Sequence, residues 1–435
     1  MHKTLPSEIS LSLSGDLAFL PLAVSFAENA GQAYGFGETE LYSLRLCAEE
    51  VFTFLCRVLG TAEPVEIRAR NGVYRLTLRF LFKPRSLDLR VLNITAKAPL
   101  DKGQDLDELG LFVAARMVDQ LKLSSEADGR TCLSLAIDRV YCEKTKPCPD
   151  LISIAANWQI HPANAGEIQS FAALVKAHYS VVHYPGFLNF PGKAADLVAS
   201  GDIKAAMAVT DSGAICGGIL WTWLSDKMIE LFGPFQFPNT QPPALAGALI
   251  DHLVEASAKT AAVGIICRKE ADQEIPAGFD LLGHTLCHAH RRTSATQSLA
   301  IRLLREDEGT AVCCHPSLET FLRKEYDRLV LPRVLRMIPC PGSGSPEHSV
   351  LACEIQKDRH VVMLTGLCYG RDATINLREH VSLFADQNLQ TILFGLDLGV
   401  SWQSAFVPDL IETGFVPRMV IPYAGRSDMV MFQKQ

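Results

Sequence analysis

The run Leu44-Arg-Leu-Cys-Ala-Glu-Glu-Val-Phe-Thr-Phe54 constrains this chain more than any other stretch. Its apolar residues recur at helical spacing, and Leu, Ala, Glu and Arg are good helix formers, so the pattern predicts a helix over 41–59. Residues four apart are neighbours on a helix, which puts Glu50 and Phe54 on one face. Glu50 offers a carboxylate there. Phe54 offers no donor or acceptor to a ligand beside it.

The flanks complete a domain over 1–148. Leu17, Leu20, Leu22, Ala23, Phe26 and Ala30 form an earlier helical pattern, which Gly31 is expected to end. Residues 65–70 and 73–80 alternate as two strands around Asn71-Gly72, the signature of a tight hairpin. A polar loop over 97–107 leads to a predicted helix over 109–121. Asp128-Gly129 then turns the chain into a strand over 131–140. The stretch Glu143-Lys-Thr-Lys-Pro-Cys-Pro-Asp150 combines charge with two prolines and reads as a linker.

At 435 residues the chain exceeds one ordinary core. Hydrophobic content of 48% and charged content of 20% describe globular material, not disorder. A net charge of −7 with no basic stripe argues against nucleic acid as a partner. Thirteen cysteines with no C-x-x-C pair, behind a start that lacks an apolar signal core, fit free thiols in a reducing cytoplasm. No apolar run reaches the roughly 18 residues of a membrane span, so no membrane partner is expected.

Two further segments follow, 149–305 and 306–435. The first reads as helices over 165–180 and 194–200, strands over 205–210, 214–224 and 228–237, a helix over 245–260 and a strand over 263–268. The second repeats part of that order. Helices over 318–331, 375–387 and 404–413 are interleaved with strands over 350–356, 361–368, 391–396 and 428–433. Each places a Gly-Phe pair, Gly278-Phe279 and Gly414-Phe415, after a helix and before closing strands.

Residues 8–140 resemble the anti-sigma-factor serine kinases, a branch of the GHKL (HATPase) family. Three stretches carry the resemblance: Glu50 through Phe54, Phe80-x-Phe82-x-Pro84, and Glu108-Leu-Gly-Leu-Phe-Val-Ala-Ala-Arg-Met-Val-Asp119. It implies a two-layer sandwich, with Glu50 as the base of a kinase and Gly110 at the nucleotide phosphates. The family's Mg²⁺-binding Asn is Phe54 here, and Phe is no ligand for a cation that demands oxygen. The adenine-binding Asp and its neighbouring Gly are Phe80 and Phe82. Asp107 and Glu108 replace two phosphate-loop glycines. On this reading ATP and Mg²⁺ are lost, apolar rings fill the old pocket, and the domain contacts a protein partner of the sigma-factor or antagonist type.

Residues 155–300 resemble the GNAT N-acetyltransferases. The carrying stretch is Met228-Ile-Glu-Leu-Phe-Gly-Pro-Phe-Gln-Phe-Pro238, followed by Gln241-Pro-Pro-Ala-Leu-Ala246 and a helix. The resemblance implies acetyl-CoA or another acyl-CoA, held by Phe235, Phe237, Gln241, Ala244, Leu245 and Ala246, with its pyrophosphate at the helix start. Pro242 and Pro243 each lack an N–H for that task. Glu230 is the base if an amine is acylated, and His183 or Tyr184 would border it. A zinc site at His284, Cys287, His288 and His290, or at Cys313-Cys314-His315, is the weaker reading, because strand alternation separates Cys287 from the histidines.

The expectation is therefore an α/β (α+β) chain. A GHKL-like two-layer sandwich precedes two GNAT-like α/β units, the second more reduced. The function expected is a cytoplasmic regulatory protein whose GNAT-like part binds an acyl-CoA. The alternatives are an active acetyl-CoA-dependent N-acetyltransferase and an ATP-dependent serine kinase of partner-switching type.

Overall fold

The computed structural model of the chain describes residues 7–59, 63–83, 93, 95, 113–126, 128–142, 157–237, 244–270, 273–288, 294–338, 345–356, 360–387 and 389–435. They divide into two compact units. One comprises Met1–Val140, Pro346–Cys353 and Gly366–Asn376; the other comprises Tyr141–Ser345, Glu354–Thr365 and Leu377–Gln435.

The first unit contains β1 (Glu8–Ser14), α1 (Leu20–Ala33), α2 (Glu38–Leu59), β2 (Pro64–Gly72), β3 (Arg75–Phe82), β4 (Gln120–Ser125) and β5 (Thr131–Asp138). The strands form an antiparallel sheet in the order β1-β2-β3-β5-β4. Alternation along β2 and β3 sends Val65, Ile67, Leu76, Leu78 and Phe80 to one face, where they share a core with Leu44, Val51, Phe52 and Leu55 of α2. Each such burial contributes about 1.5–3 kcal/mol. Asn93 stitches a later segment into this unit. Its amide donates to the Ser349 carbonyl at 2.9 Å and accepts from the Leu351 N–H at 2.9 Å, as a neighbouring strand would.

Three expectations for this unit are corrected. Gly31 does not end the first helix, which runs on to Ala33. A Cβ at Gly31 would lie 2.6 Å from Leu44 Cδ1 and 2.7 Å from Leu41 Cδ2, so the glycine serves close helix packing instead. The hairpin turn falls at Val73-Tyr74, because Asn71 and Gly72 still pair with Leu76 and Arg75; Val73 takes φ +56°. The predicted helix over 109–121 is helical at 113–116, and Gln120 already starts β4 against β5. Pairing with the β5 edge outweighs local helix propensity there. The 143–150 linker lies outside the described residues.

The second unit begins with β6 (Trp158–Pro162), α3 (Ala165–His178), α4 (Pro191–Ser200), β7 (Lys204–Thr210), β8 (Ile215–Trp223), β9 (Met228–Gln236), α5 (Leu245–Ser257), β10 (Gly264–Glu270), β11 (Asp280–His288) and β12 (Ser294–Leu303). A capping box starts α3: Asn164 Oδ1 accepts from the Glu167 N–H, and Glu167 accepts from the Asn164 N–H. Gly201, in the left-handed region at φ +80°, stops α4 as the sequence predicts.

Next come β13 (Thr310–Cys314), α6 (Glu319–Leu329) and β14 (Arg333–Met337), with β13 and β14 paired in parallel. The C-terminal sheet is made by β15 (Val350–Gln356), β16 (Val361–Cys368), β17 (Thr391–Asp397), β18 (Phe415–Ile421) and β19 (Met429–Lys434), with helices α7 (Ala373–Asp386) and α8 (Phe406–Glu412). The repeat suspected from the Gly-Phe pairs is explicit in the strand order. One sheet runs β6-β7-β8-β9-β10-β12-β11, and the other runs β15-β16-β17-β19-β18. The last five strands of the first match the five of the second, place for place. In both, a parallel strand pair is joined through a helix, β9-α5-β10 and β16-α7-β17.

The two halves of this unit share a core. Met228, Ile266, Leu282 and Leu299 pack with Val361, Leu393, Met419, Ile421 and Met431. Gly283 makes the approach possible, since a Cβ there would lie 2.8 Å from Met419 Cβ. The Gln433 amide donates to the Leu286 carbonyl at 2.6 Å and accepts from the Leu286 N–H at 3.0 Å.

Candidate functional site

The register of β9 and β10 creates the feature that matters most. The strands pair in parallel over four positions, from Met228↔Gly264 to Leu231↔Cys267, and then part. Beyond that point, among the described residues, β9 pairs only with β8, and β10 continues along β12 through Glu270↔Gln297. A bulge marks the place: Phe232 and Phe235 oppose Leu220 and Gly218, so β9 carries one residue more than β8. Gly233, at φ +99°, sits in that bulge. Two parallel strands that diverge leave a wedge with a free β9 edge along one side.

Three side chains of the chain itself meet this wedge. Glu230, in the last paired stretch of β9, accepts from Arg268 Nε at 2.5 Å and is largely buried. Lys269 of β10 reaches across the gap, and its Nζ donates to the Gly233 carbonyl at 2.9 Å. Burial holds the Lys269 ammonium below the usual lysine range. The Tyr179 hydroxyl, just after α3, bonds both main-chain groups of Gln236, at 2.7 Å each. The Phe237 N–H points instead at the Cys216 carbonyl of β8, so the Gln236 groups lie on the free edge. Burial pushes the Tyr179 phenol up, opposed by its bond to Gln236.

The residues predicted from sequence are distributed as follows. Phe235 and Phe237 are fully buried, edge-on to Phe171, so their side chains belong to the core rather than to the wedge. Ala244 is exposed at the start of α5, Leu245 is buried, and Ala246 is half-buried. Among the described residues no side chain caps that helix start, and the first turn of a helix has N–H groups without intrahelical partners that suit an anion. Gln241, Pro242 and Pro243 lie outside the described residues. Tyr184 is buried and donates to Asn189 Oδ1 at 2.9 Å. His183 ends a short 3₁₀ turn, Val181–His183, that lies against β10. Sequence reasoning missed Arg268, Lys269 and Tyr179. The signal was the charged run Arg268-Lys269-Glu270 at the end of an otherwise apolar strand.

In the first unit, Glu50 is half-exposed on α2. Burial raises its carboxyl above the usual range, the Glu49 charge adds to this, and Arg57 opposes it. One turn on, Phe54 is buried, and it shares a single apolar core with Phe80 and Phe82. The nearby Cys47 thiol is pushed up to about 12 by burial first and the Glu50 charge second. Gly110, Asp107, Glu108 and Pro84 lie outside the described residues.

Among the described residues no group of three or more His, Cys, Asp or Glu is arranged to hold a metal. His284 Nδ1 lies 3.0 Å from Ser298 Oγ, and the buried His315 accepts from the Ser317 N–H through Nδ1. The Cys287 and His288 side chains and His290 lie outside the described residues. No described helix is long and apolar enough to cross a membrane.

No family model matches the chain, and no curated protein matches it. Solved structures do. Over 34% of this chain it is similar to a GNAT-family acetyltransferase structure from Desulfovibrio desulfuricans, covering 100% of that chain at 13% identity and TM-score 0.28. It is similar to an N-acetyltransferase from Staphylococcus aureus, again over 34% of this chain and 100% of that one, at 14% identity and TM-score 0.29. A phosphinothricin acetyltransferase from Sinorhizobium meliloti, solved with AcCoA, matches over 34% of this chain and 88% of that one, at 14% identity and TM-score 0.27. At such scores the chemistry has to come from this chain's own residues.

Proposed function

We propose that this chain is a regulatory protein whose second unit binds an acyl-CoA in the wedge between β9 and β10. One observation carries the reading: the parallel strands separate after Leu231 and Cys267, leaving main-chain groups of β9 without a strand neighbour. An extended, amide-bearing ligand such as pantetheine satisfies such an edge as a strand would. The uncapped start of α5, which follows β9, suits the pyrophosphate. The first unit is proposed to serve as a protein-binding module without ATP chemistry, supported by the burial of Phe54, Phe80 and Phe82 in one core.

A second reading, transfer of the acyl group to an amine, is favoured by the place of Glu230 beside the wedge. Its tie to Arg268 at 2.5 Å speaks for the binding role first. Calorimetric titration of the full chain with acetyl-CoA and, separately, with ATP and Mg²⁺ tests the reading of each unit. Acetyl-CoA binding at about micromolar Kd, roughly −8 kcal/mol, is expected, with no heat from ATP. Absence of acetyl-CoA binding overturns the reading of the second unit, and ATP binding overturns that of the first.

A further inference from the structure

We infer that Lys269 is a self-acylation site, taking the acyl group from an acyl-CoA lodged between β9 and β10. This rests on the acyl-CoA reading above. Lys269 stands two positions past Cys267, the last β10 residue paired with β9, and its Nζ spans the gap to the Gly233 carbonyl at 2.9 Å. Its charged neighbours are engaged elsewhere. Arg268 holds Glu230 at 2.5 Å, and Glu270 accepts from Gln297 Nε2 at 2.9 Å. Among the described residues no carboxylate pairs with the Lys269 ammonium. An amine that donates one hydrogen to a carbonyl keeps its lone pair for attack once neutral, and burial enlarges that neutral fraction.

The step is ordinary aminolysis of a thioester. The Nζ lone pair attacks the acyl carbonyl carbon, an N–C bond forms, and the C–S bond breaks with its electron pair passing to sulfur. The nitrogen loses a proton through water, and coenzyme A leaves as the free thiol. The product is a neutral amide at 269. Acylation removes the charge that the wedge otherwise holds, so the bound-acyl history of the protein becomes a lasting change in its surface chemistry.

The test incubates the full chain with acetyl-CoA and follows intact mass and peptide maps, beside calorimetry on the same sample. One acetyl group per chain is expected, located on Lys269, lost in K269R and suppressed by excess coenzyme A. Acetyl-CoA binding without modification of Lys269 overturns this inference and leaves the binding reading intact. So does acetylation spread over exposed lysines at the rate seen for the urea-unfolded chain. No acetyl-CoA binding overturns both. K269R is checked for an unchanged urea midpoint, and Lys269→Gln serves as a second variant if it fails to fold.

Discussion

The Tyr179 hydroxyl bonds to Gln236 twice, donating to its carbonyl and accepting from its N–H, both at 2.7 Å. One phenol thus does for a single residue of the free β9 edge what a neighbouring strand does for a whole edge. A ligand that lies along this edge must displace the phenol first.

Tyr179→Phe therefore leaves two main-chain groups of Gln236 unpaired, at a stability cost of about 1–3 kcal/mol. An acyl-CoA that pairs with those groups recovers part of that cost. Acetyl-CoA affinity is expected to rise several-fold by calorimetry while the urea midpoint falls. An unchanged or weaker affinity refutes displacement of the phenol.

Phe54 tests the first unit. Truncation of a buried Phe to Ala costs about 3–5 kcal/mol. Phe54→Asn is expected to destabilise to a similar degree, because it places an amide in the apolar core that Phe54 shares with Phe80 and Phe82. It is not expected to create Mg²⁺-dependent ATP binding. Chemical denaturation and an ATP titration of the same variant check the two halves of this statement.

The Arg333 side chain is fully buried between Asp428, at 2.6 Å from its Nε, and Asp307, at 2.9 Å from Nη1, under the Tyr423 ring. Arg333→Met strands two buried carboxylates and is expected to cost about 3–5 kcal/mol. Replacing Arg323, which is mostly exposed in its ion pair with Glu319, is expected to change stability by less than about 1 kcal/mol. Equal losses in urea melts of the two variants would contradict this ranking.

Glu66 gives the first unit an acid sensitivity of known sign. Its bonds to Arg68, at 2.7 Å, and Arg130, at 2.6 Å, hold its carboxyl below the usual range. The stability this supplies is complete above the unfolded carboxyl range and is lost as pH falls through the lower folded value. Glu66→Gln is expected to be less stable at neutral pH and to lose less on acidification. A urea midpoint measured against pH decides it; parallel curves for the two proteins exclude the role.

Much of the fold was legible because it is local. The stop at Gly201 and the apolar strand ending at Arg268 each announce themselves within a few residues. What escaped was non-local. Nothing near Gly31 says that Leu41 and Leu44 will press on it, and nothing near Gln120 says that β5 will claim it. The short strands β6, β13 and β14 carry too few alternating positions to stand out before their partners are known. Glu230 was visible as a carboxylate on a strand, but its engagement by Arg268, 38 positions later, follows only from the register of β10 on β9.

The packing of Gly283 on Met419 has a practical consequence. Cut between the two halves of the second unit, the chain would present water with a raw face of Met228, Ile266, Leu282 and Leu299 on one fragment, and of Leu393, Met419 and Met431 on the other. Neither fragment would be expected to remain dissolved on its own. A dissection that divides the chain near residue 305 would then report on sticky surfaces rather than on function, so these two repeats are best altered by point substitution within the intact chain.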